Sequence, residues 1–300
     1  MKTIELDVRV IAPREKHPTI FKNFDELNAG DALVITNDHD PKPLYYQMLA
    51  ERGKTFEWLY LKEGPDVWQV KITKRDKTIG EIAANDLKKV KVFMKYGIDF
   101  CCGGNKTLKE ACEEKGIDYQ SVEKELNQTT ESSELDFNSM PLHELTQYII
   151  QKHHQYIKNN QEILLGLAEK VKERHGASHP ELIQIHQLFN ALINELNTHL
   201  MKEENILFPA IEKMSINKTL SFASLQSPIS VMFHEHDIAG DLIKQIRKLS
   251  NDYSAPQDAC NSYAALYRLL KEFDDDLMIH IHLENNILFP KAIQLEKELI

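Results

Sequence analysis

The sequence predicts a multidomain chain: a small N-terminal two-layer α/β sandwich over 1–75, a short helical domain with a Cys-Cys-Gly-Gly turn over 77–128, and an all-α four-helix bundle over 140–300. Three observations predict it. Strand-like runs alternate with helical ones only in the first seventy-odd residues. A polar stretch, NQTTESSELDFNS from Asn127 to Ser139, shows no apolar period and reads as a linker. Beyond Pro141, long helical patterns are separated by turn-forming segments.

In the first module the order is IELDVRV, a helix over His17 to Leu27, ALVIT, a helix from Leu44, TFEWLYL and VWQVKIT, with turns at Asn28-Ala-Gly and at Asp38 to Pro43. That is a β-α-β-α-β-β pattern. The order and the HDPKPL segment resemble a family of small bacterial α/β domains related to the sulfur-carrier fold. Sulfur carriers place a Cys near the start of the first helix, where this chain reads IAPREKH. Sulfur transfer is therefore not expected, and no function is assigned to this module. His17 and His39, beside prolines, are read as ordinary turn chemistry.

The second module, Thr78 to about Leu126, has helical periodicity broken at Gly97 and Gly103-Gly104. In the third, four helices are expected at about Pro141–Glu173, Pro180–Lys213, Pro228–Ser250 and Asp258–Glu298. Their connections, HGASH, SINKTLSFASLQS and NDYSAPQ, suit an up-down-up-down bundle.

Composition narrows the function classes. Of 300 residues, 42% are hydrophobic and 27% charged, the balance of a globular protein, and the formal charge of −10 with no basic stripe argues against nucleic-acid binding. The start, MKTIELDVRV, has no continuous apolar run, so neither an export signal nor a membrane span is expected and a cytoplasmic location is. Four cysteines, two adjacent and two isolated, suit reduced thiols better than structural disulfides.

The strongest internal signal is a repeat. HLMKEENILFP begins at His199 and HIHLENNILFP at His280, each a His-x-x-x-Glu followed by ILFP. Residues i and i+4 project from one helix face, so each repeat aims an imidazole and a carboxylate at one point. They also lie on the inward seams. The second helix gives Ile185, Phe189, Leu192, Leu196, His199, Glu203 and Ile206; the fourth gives Leu266, Leu270, Phe273, Leu277, His280, Glu284 and Ile287. The third gives Ile229, Met232, His236, Ala239, Ile243 and Ile246, leaving His234 outside. The first gives Ile150, His154, Ile157, Leu164, Ala168 and Val171 around Gln161, although periodicity alone leaves His153 and His154 open.

Depth agrees with the seams. The midpoint of 154 and 201 falls in the HGASH turn, that of 201 and 236 in the long loop, and that of 236 and 282 at NDYSAPQDAC. All six side chains can share one layer. Two carboxylates buried there would cost several kcal/mol, of order the penalty for an uncompensated buried charge, unless a cation pairs them. Four imidazoles and two carboxylates suit a pair of iron or manganese ions better than zinc, whose structural sites are usually four-coordinate.

DFCCGGNKTL, the two repeats and PISVMFHEHDIAG together resemble the Repair of Iron Centres family of di-iron iron–sulfur cluster repair proteins, over about Thr78 to Ala292. The resemblance implies a hemerythrin-like bundle with two non-haem iron ions, a di-iron centre bridged by oxo and carboxylate groups. It places the metal ligands at His154, His199, Glu203, His236, His280 and Glu284. Oxygen-carrying hemerythrins use a second His four residues after the first on the third helix; here that position is Gly240. The resemblance further implies repair of clusters damaged by nitrosative or oxidative stress, by iron donation or by reduction of nitric oxide. Damaged iron–sulfur proteins, nitric oxide or oxygen, and a second copy in a homodimer are the partners expected. A hemerythrin-like sensor or binding module for oxygen, nitric oxide or iron is the alternative.

Cys101 and Cys102 follow a helix end, where the glycines are expected to leave both thiols accessible as redox or iron-transfer groups. Glu195, one turn before His199, and Glu235, beside His236, are candidates for an iron or proton path between centre and surface. His175, His179, His234 and His282 are read as turn or surface residues.

Overall fold

The computed structural model describes residues 2–52, 55–128, 136–219 and 224–299. It divides into two compact units, Met1–Lys77 and Thr78–Ile300.

The first unit has the expected element order. β1 (Thr3–Asp7), α1 (Pro13–Asp25), β2 (Ala32–Asn37), α2 (Lys42–Arg52), β3 (Phe56–Lys62) and β4 (Trp68–Lys74) form a sheet of order β1-β2-β4-β3. β1 runs parallel to β2, and β4 lies antiparallel to both neighbours. Alternation sets the buried face: Leu33, Ile35, Val70 and Ile72 meet Ile20 and Phe24 of α1 and Leu44 and Met48 of α2 in one core. Leu59 and Leu61 of β3 are exposed. α1 begins four residues before the expected His17, because Pro13 sits in its first turn, where its missing N–H costs nothing.

In the second unit, α3 (Ile79–Asn85), α4 (Leu87–Lys95), α5 (Leu108–Lys115) and α6 (Tyr119–Gln128) build the small helical module. Thr78 with Glu81, and Thr107 with Glu110, form capping boxes that start α3 and α5. Its apolar residues Ile79, Phe93, Ile98 and Phe100 share one core with Phe189, Tyr267 and Leu277 of the bundle. The glycines serve this packing: a Cβ on Gly104 would meet Asn286 Oδ1 and the Phe100 carbonyl oxygen, each at 2.8 Å. Residues 129–135 of the expected linker, and 220–223 of the long loop, lie outside the described residues. The end of the linker is not wholly polar in behaviour: Phe137 is buried, and Asn138 donates to the Ala84 carbonyl.

The four bundle helices appear at the expected places, but three carry an insertion. α7 (Leu142–Ile149) passes through a π-helical turn, Ile150–His154, into α8 (Gln155–His175). α9 (Glu181–Lys202) passes through Glu203–Leu207 into α10 (Phe208–Asn217). α12 (Asn261–Leu283) passes through Glu284–Leu288 into α13 (Phe289–Leu299). The third helix, α11 (Gln226–Leu249), is α-helical throughout. Each π turn adds one residue to the ladder, as such turns often do at functional sites. Pro209 and Pro290 follow the last two π turns closely; lacking an N–H, they cannot close the normal α-helical bond there.

One seam assignment fails. Ile206 is 53% exposed while Leu207 and Phe208 are buried, whereas its counterpart Ile287, in the same kind of π turn, is buried where α3 packs on that turn.

Candidate metal centre

His154 ends the π turn of the first helix, and Glu203 and Glu284 each begin one. His199 and His280 lie one α-helical turn before the two glutamates, and His236 projects from the middle of α11. All six are buried, and Glu203, Glu284, His154 and His280 have no exposed surface. The structure thus brings together the whole set expected from the seams.

The six form two overlapping tetrads, His154–Glu203–His280–Glu284 and His199–Glu203–His236–Glu284, in each of which one donor atom per residue lies within 4.8 Å of the others. Both glutamates belong to both tetrads. His154 Nε2 and His280 Nε2 are 3.2 Å apart, and His199 Nε2 and His236 Nε2 are 3.1 Å apart. Glu203 lies 3.4 Å from His154 Nε2 and 3.3 Å from His199 Nε2; Glu284 lies 3.0 Å from His280 Nε2 and 3.1 Å from His236 Nε2. Each carboxylate therefore spans the two histidine pairs.

The buried polar atoms test whether metal fits. Neither oxygen of Glu203, nor Oε2 of Glu284, makes a well-aligned hydrogen bond among the described residues, although imidazole nitrogens lie 3.1–3.4 Å away. Such carboxylates are costly unless a cation takes the place of donors. Imidazole nitrogen and carboxylate oxygen are donors that first-row divalent metals accept. The residues present fit a metal centre.

The electrostatics point the same way. Burial opposes charge on His154 and His199, but Glu203 and its neighbours outweigh it and raise them to about 9 and about 10. Burial and mutual repulsion would push Glu203 and Glu284 up, yet the surrounding imidazoles hold both below the ordinary carboxylate range. For His280 burial prevails and lowers its pKa. Without metal, protons stand in for cations in this layer.

Three of the candidate ligand rings are oriented from behind. His154 Nδ1 meets Glu204 Oε1 at 2.8 Å, His199 Nδ1 meets Glu235 Oε2 at 2.9 Å, and His236 Nδ1 meets Asn285 Oδ1 at 2.7 Å. These contacts place the hydrogen on Nδ1 and leave Nε2 free toward the centre. Lys158 and Lys202 in turn bind Glu204 and Glu235. The hydrogen bond from His199, with Lys202 adding to it, holds Glu235 at about 2. Sequence reasoning missed Glu204 and Asn285, though a signal existed: each directly follows the repeat's glutamate.

The thiols differ from expectation. Cys101 is 5% exposed and Cys102 half-buried, so the two are not equally accessible. The turn folds inward because Asp99 Oδ1 accepts from the Cys101 thiol at 3.2 Å and from the backbone N–H of Cys102 and Gly103. The neighbouring thiol and burial push the Cys101 pKa up. Cys102 Sγ approaches the His236 carbonyl oxygen at 3.5 Å, and Asn285, which orients His236, donates to the Cys101 carbonyl at 3.4 Å. The cysteine turn thus lies against the helix that carries His236.

Glu195 is exposed and Glu235 half-buried. His234 is exposed as expected, and His175 and His179 lie half-buried near the turn that ends α8. His282 is not a surface residue: it has no exposed area, its ring meets Phe100 edge-on at 5.5 Å, and Asn286 Nδ2 reaches its Nδ1 at 3.0 Å. The helical module covers that face of α12, and burial lowers His282 to about 4. His153 is buried as well, with its ring parallel to that of His280 and its Nδ1 3.0 Å from Asp276. None of the described helices is long and apolar enough to cross a membrane.

Three family models match the chain. Residues 146–292 match the hemerythrin HHE cation binding domain, 75–130 a domain of unknown function, and 5–74 an uncharacterized conserved protein family. The iron–sulfur cluster repair protein YtfE of Pectobacterium atrosepticum is 39% identical over 226 residues, covering 73% of this chain and 98% of that protein. A probable iron–sulfur cluster repair protein of Haemophilus influenzae is 39% identical, covering 72% and 96%, and YtfE of Escherichia coli O8 is 38% identical, covering 73% and 97%. With the centre's six residues on four helices and the cysteine turn packed against them, the chain belongs to the iron–sulfur cluster repair family with a hemerythrin-like bundle.

Proposed function

We propose that this protein repairs iron–sulfur clusters damaged by nitrosative or oxidative stress, donating iron from a di-iron centre held by His154, His199, Glu203, His236, His280 and Glu284. The observation that carries the reading is the sharing of both glutamates by two histidine pairs, which suits two ions bridged by carboxylates. Bound iron would supply an exchangeable ferrous ion and one-electron redox chemistry. The chain would supply the rest: four Nε2 atoms aimed inward, three of them on rings held by an acceptor at Nδ1, and two buried carboxylates shared by both histidine pairs.

In this proposal the segment 77–128 works with the bundle of 140–300, and residues 1–75 form a separate module. Cys101 and Cys102 act as redox or iron-transfer thiols beside His236. Glu235, half-buried against His199, and Glu195, exposed one turn before it, mark a path for iron or protons. Nitric oxide or oxygen as small-molecule partner, reduction of nitric oxide, a homodimer and a cytoplasmic location belong to the same proposal.

Two measurements test it. Anaerobic metal quantitation with Mössbauer spectroscopy should find two coupled non-haem irons per chain; zinc, or one iron, removes the di-iron reading. The iron-loaded protein should restore activity to a nitric-oxide-damaged iron–sulfur enzyme. If it restores none while changing conformation with ligand, it is a sensor. Unchanged recovery with Cys101→Ala/Cys102→Ala removes the role of the thiols.

A further inference from the structure

The two halves of the centre are built on one plan, and the plan is broken at one residue. The repeat relates the first and second helices to the third and fourth. In each half the residue after the ligand glutamate, Glu204 or Asn285, orients the histidine of the preceding helix, His154 or His236. The residue before that histidine has a counterpart too. Glu235, before His236, accepts the Nδ1 hydrogen of His199. His153, before His154, is the equivalent for His280, but it brings no acceptor.

His153 instead lies parallel to His280, with 4° between ring planes and 5.8 Å between centroids, and turns its Nδ1 to Asp276. His280 Nδ1 is buried with no hydrogen-bond partner among the described residues. So the His199/His236 position has both rings fixed by an acceptor, and the His154/His280 position has one of two. Loss of such an outer contact costs about 10–100-fold in metal affinity.

Each side has a cavity of its own. A cleft of about 1180 Å³ is lined by Lys152, Tyr156, Asp276 and Ile279, which flank His153, His154 and His280 in sequence or contact, and a smaller one of about 240 Å³ is lined by Cys101, Gly240 and Ile281. Asp276 Oδ2 is buried there without a donor among the described residues, a carboxylate oxygen that favours a passing cation. The cysteine turn lies at the other position, beside His236.

We infer that the two metal positions are inequivalent, and that the ion held by His154 and His280 is the exchangeable one, leaving toward the Asp276 side while the ion held by His199 and His236 is retained. Asking which iron is donated rests on the iron-donor reading; the ranking of the two positions does not. It also places the Asp99–Cys101–Cys102 group, whose donor atoms lie within 4.8 Å of one another, on the side of the retained ion.

The test is anaerobic removal of iron from the fully loaded protein by a ferrous chelator. Wild type should lose iron in two phases of one ion each, separated at least tenfold in rate. Half-depleted protein refilled with ⁵⁷Fe should show one Mössbauer environment, not an even mixture of two. His280→Ala should abolish the fast phase and keep the slow one; His236→Ala should do the reverse. His153→Glu with Asp276→Asn supplies the missing acceptor and should slow the fast phase about tenfold or more, with unfolding checked by circular dichroism. Should that double variant misfold, Glu235→Ala gives the converse reading by speeding the slow phase toward the fast one. Release of both ions at one rate, or loss of the slow phase in His280→Ala, overturns the inference. Two-phase release from a protein that repairs no cluster would overturn the repair reading and leave the ranking intact.

Discussion

The sulfur of Cys102 lies 3.1 Å from where a Cβ on Gly240 would stand. The small module and the bundle therefore meet so closely that a methyl group at position 240 would push the sulfur aside by a few tenths of an ångström. A histidine at this position of α11 would have to displace the cysteine turn.

This contact predicts a change of sign. Gly240→Ala should destabilise the protein by about 1–3 kcal/mol, the usual cost of overpacking. In a Cys102→Ala background the sulfur is gone, and the same substitution should be neutral or stabilising by up to about 1 kcal/mol, since alanine favours a helix over glycine. Urea unfolding of the four proteins in the double-mutant cycle measures it. Equal effects in both backgrounds would mean that sulfur and helix do not touch.

Asn286 moors the cysteine turn from the metal-bearing helix. Its Nδ2 reaches the Phe100 carbonyl at 3.2 Å, the Cys101 carbonyl at 3.4 Å and His282 Nδ1 at 3.0 Å. Asn286→Ala strands these acceptors, at about 1–3 kcal/mol for a buried group left unpaired. Hydrogen exchange over Cys101 to Gly104 should quicken while bound metal is unchanged, because the Asn286 hydrogen bonds go to Phe100, Cys101 and His282 and to none of the six candidate ligands. Lost metal with an unaltered exchange pattern would contradict this division of labour.

Metal binding should be strongly coupled to protons. Without metal, His154 at about 9 and His199 at about 10 are both protonated at pH 7, and coordination through Nε2 needs them neutral. Loading should release about two protons, and affinity should fall ~100-fold for each pH unit below 9. Calorimetry in buffers of differing ionisation enthalpy counts the protons; a count near zero would exclude the charged rings. For the metal-free fold the sign is opposite. Raised pKa values give stability that is fully present below about 6.5 and lost as pH rises through 9 to 10.

Much of this was legible because periodicity carries three-dimensional information. A histidine on a seam of leucines must face the core, so Leu192, Leu196, His199 and Glu203 announce their common direction. The exception is Ile206, which continues the seam past Glu203 yet is exposed, while its counterpart Ile287, in the same kind of π turn, is buried; the apolar pattern marks neither the turn nor the difference. The ILFP repeat holds a trace of the turn in the proline that ends each tetrapeptide. Cys101 and His282 were misjudged for another reason: both are buried by the packing of the helical module on α12, a contact between segments some 180 residues apart that no local pattern records.

That contact makes His282 a reporter of module docking. Its pKa falls from the ordinary 6.5 to about 4 because burial disfavours the charged ring. A base with a depressed folded pKa stabilises fully above the unfolded value and loses that contribution as pH falls from about 6.5 to 4, where the unfolded chain binds the extra proton. The full span corresponds to about 3 kcal/mol. His282→Gln removes the titration, so metal-free wild type should lose about that much more stability than the variant between pH 7 and pH 4, as read by urea midpoints. Below pH 4 the two curves should run parallel. Curves parallel throughout would mean that the ring is hydrated, and that the module does not seal this face of the bundle.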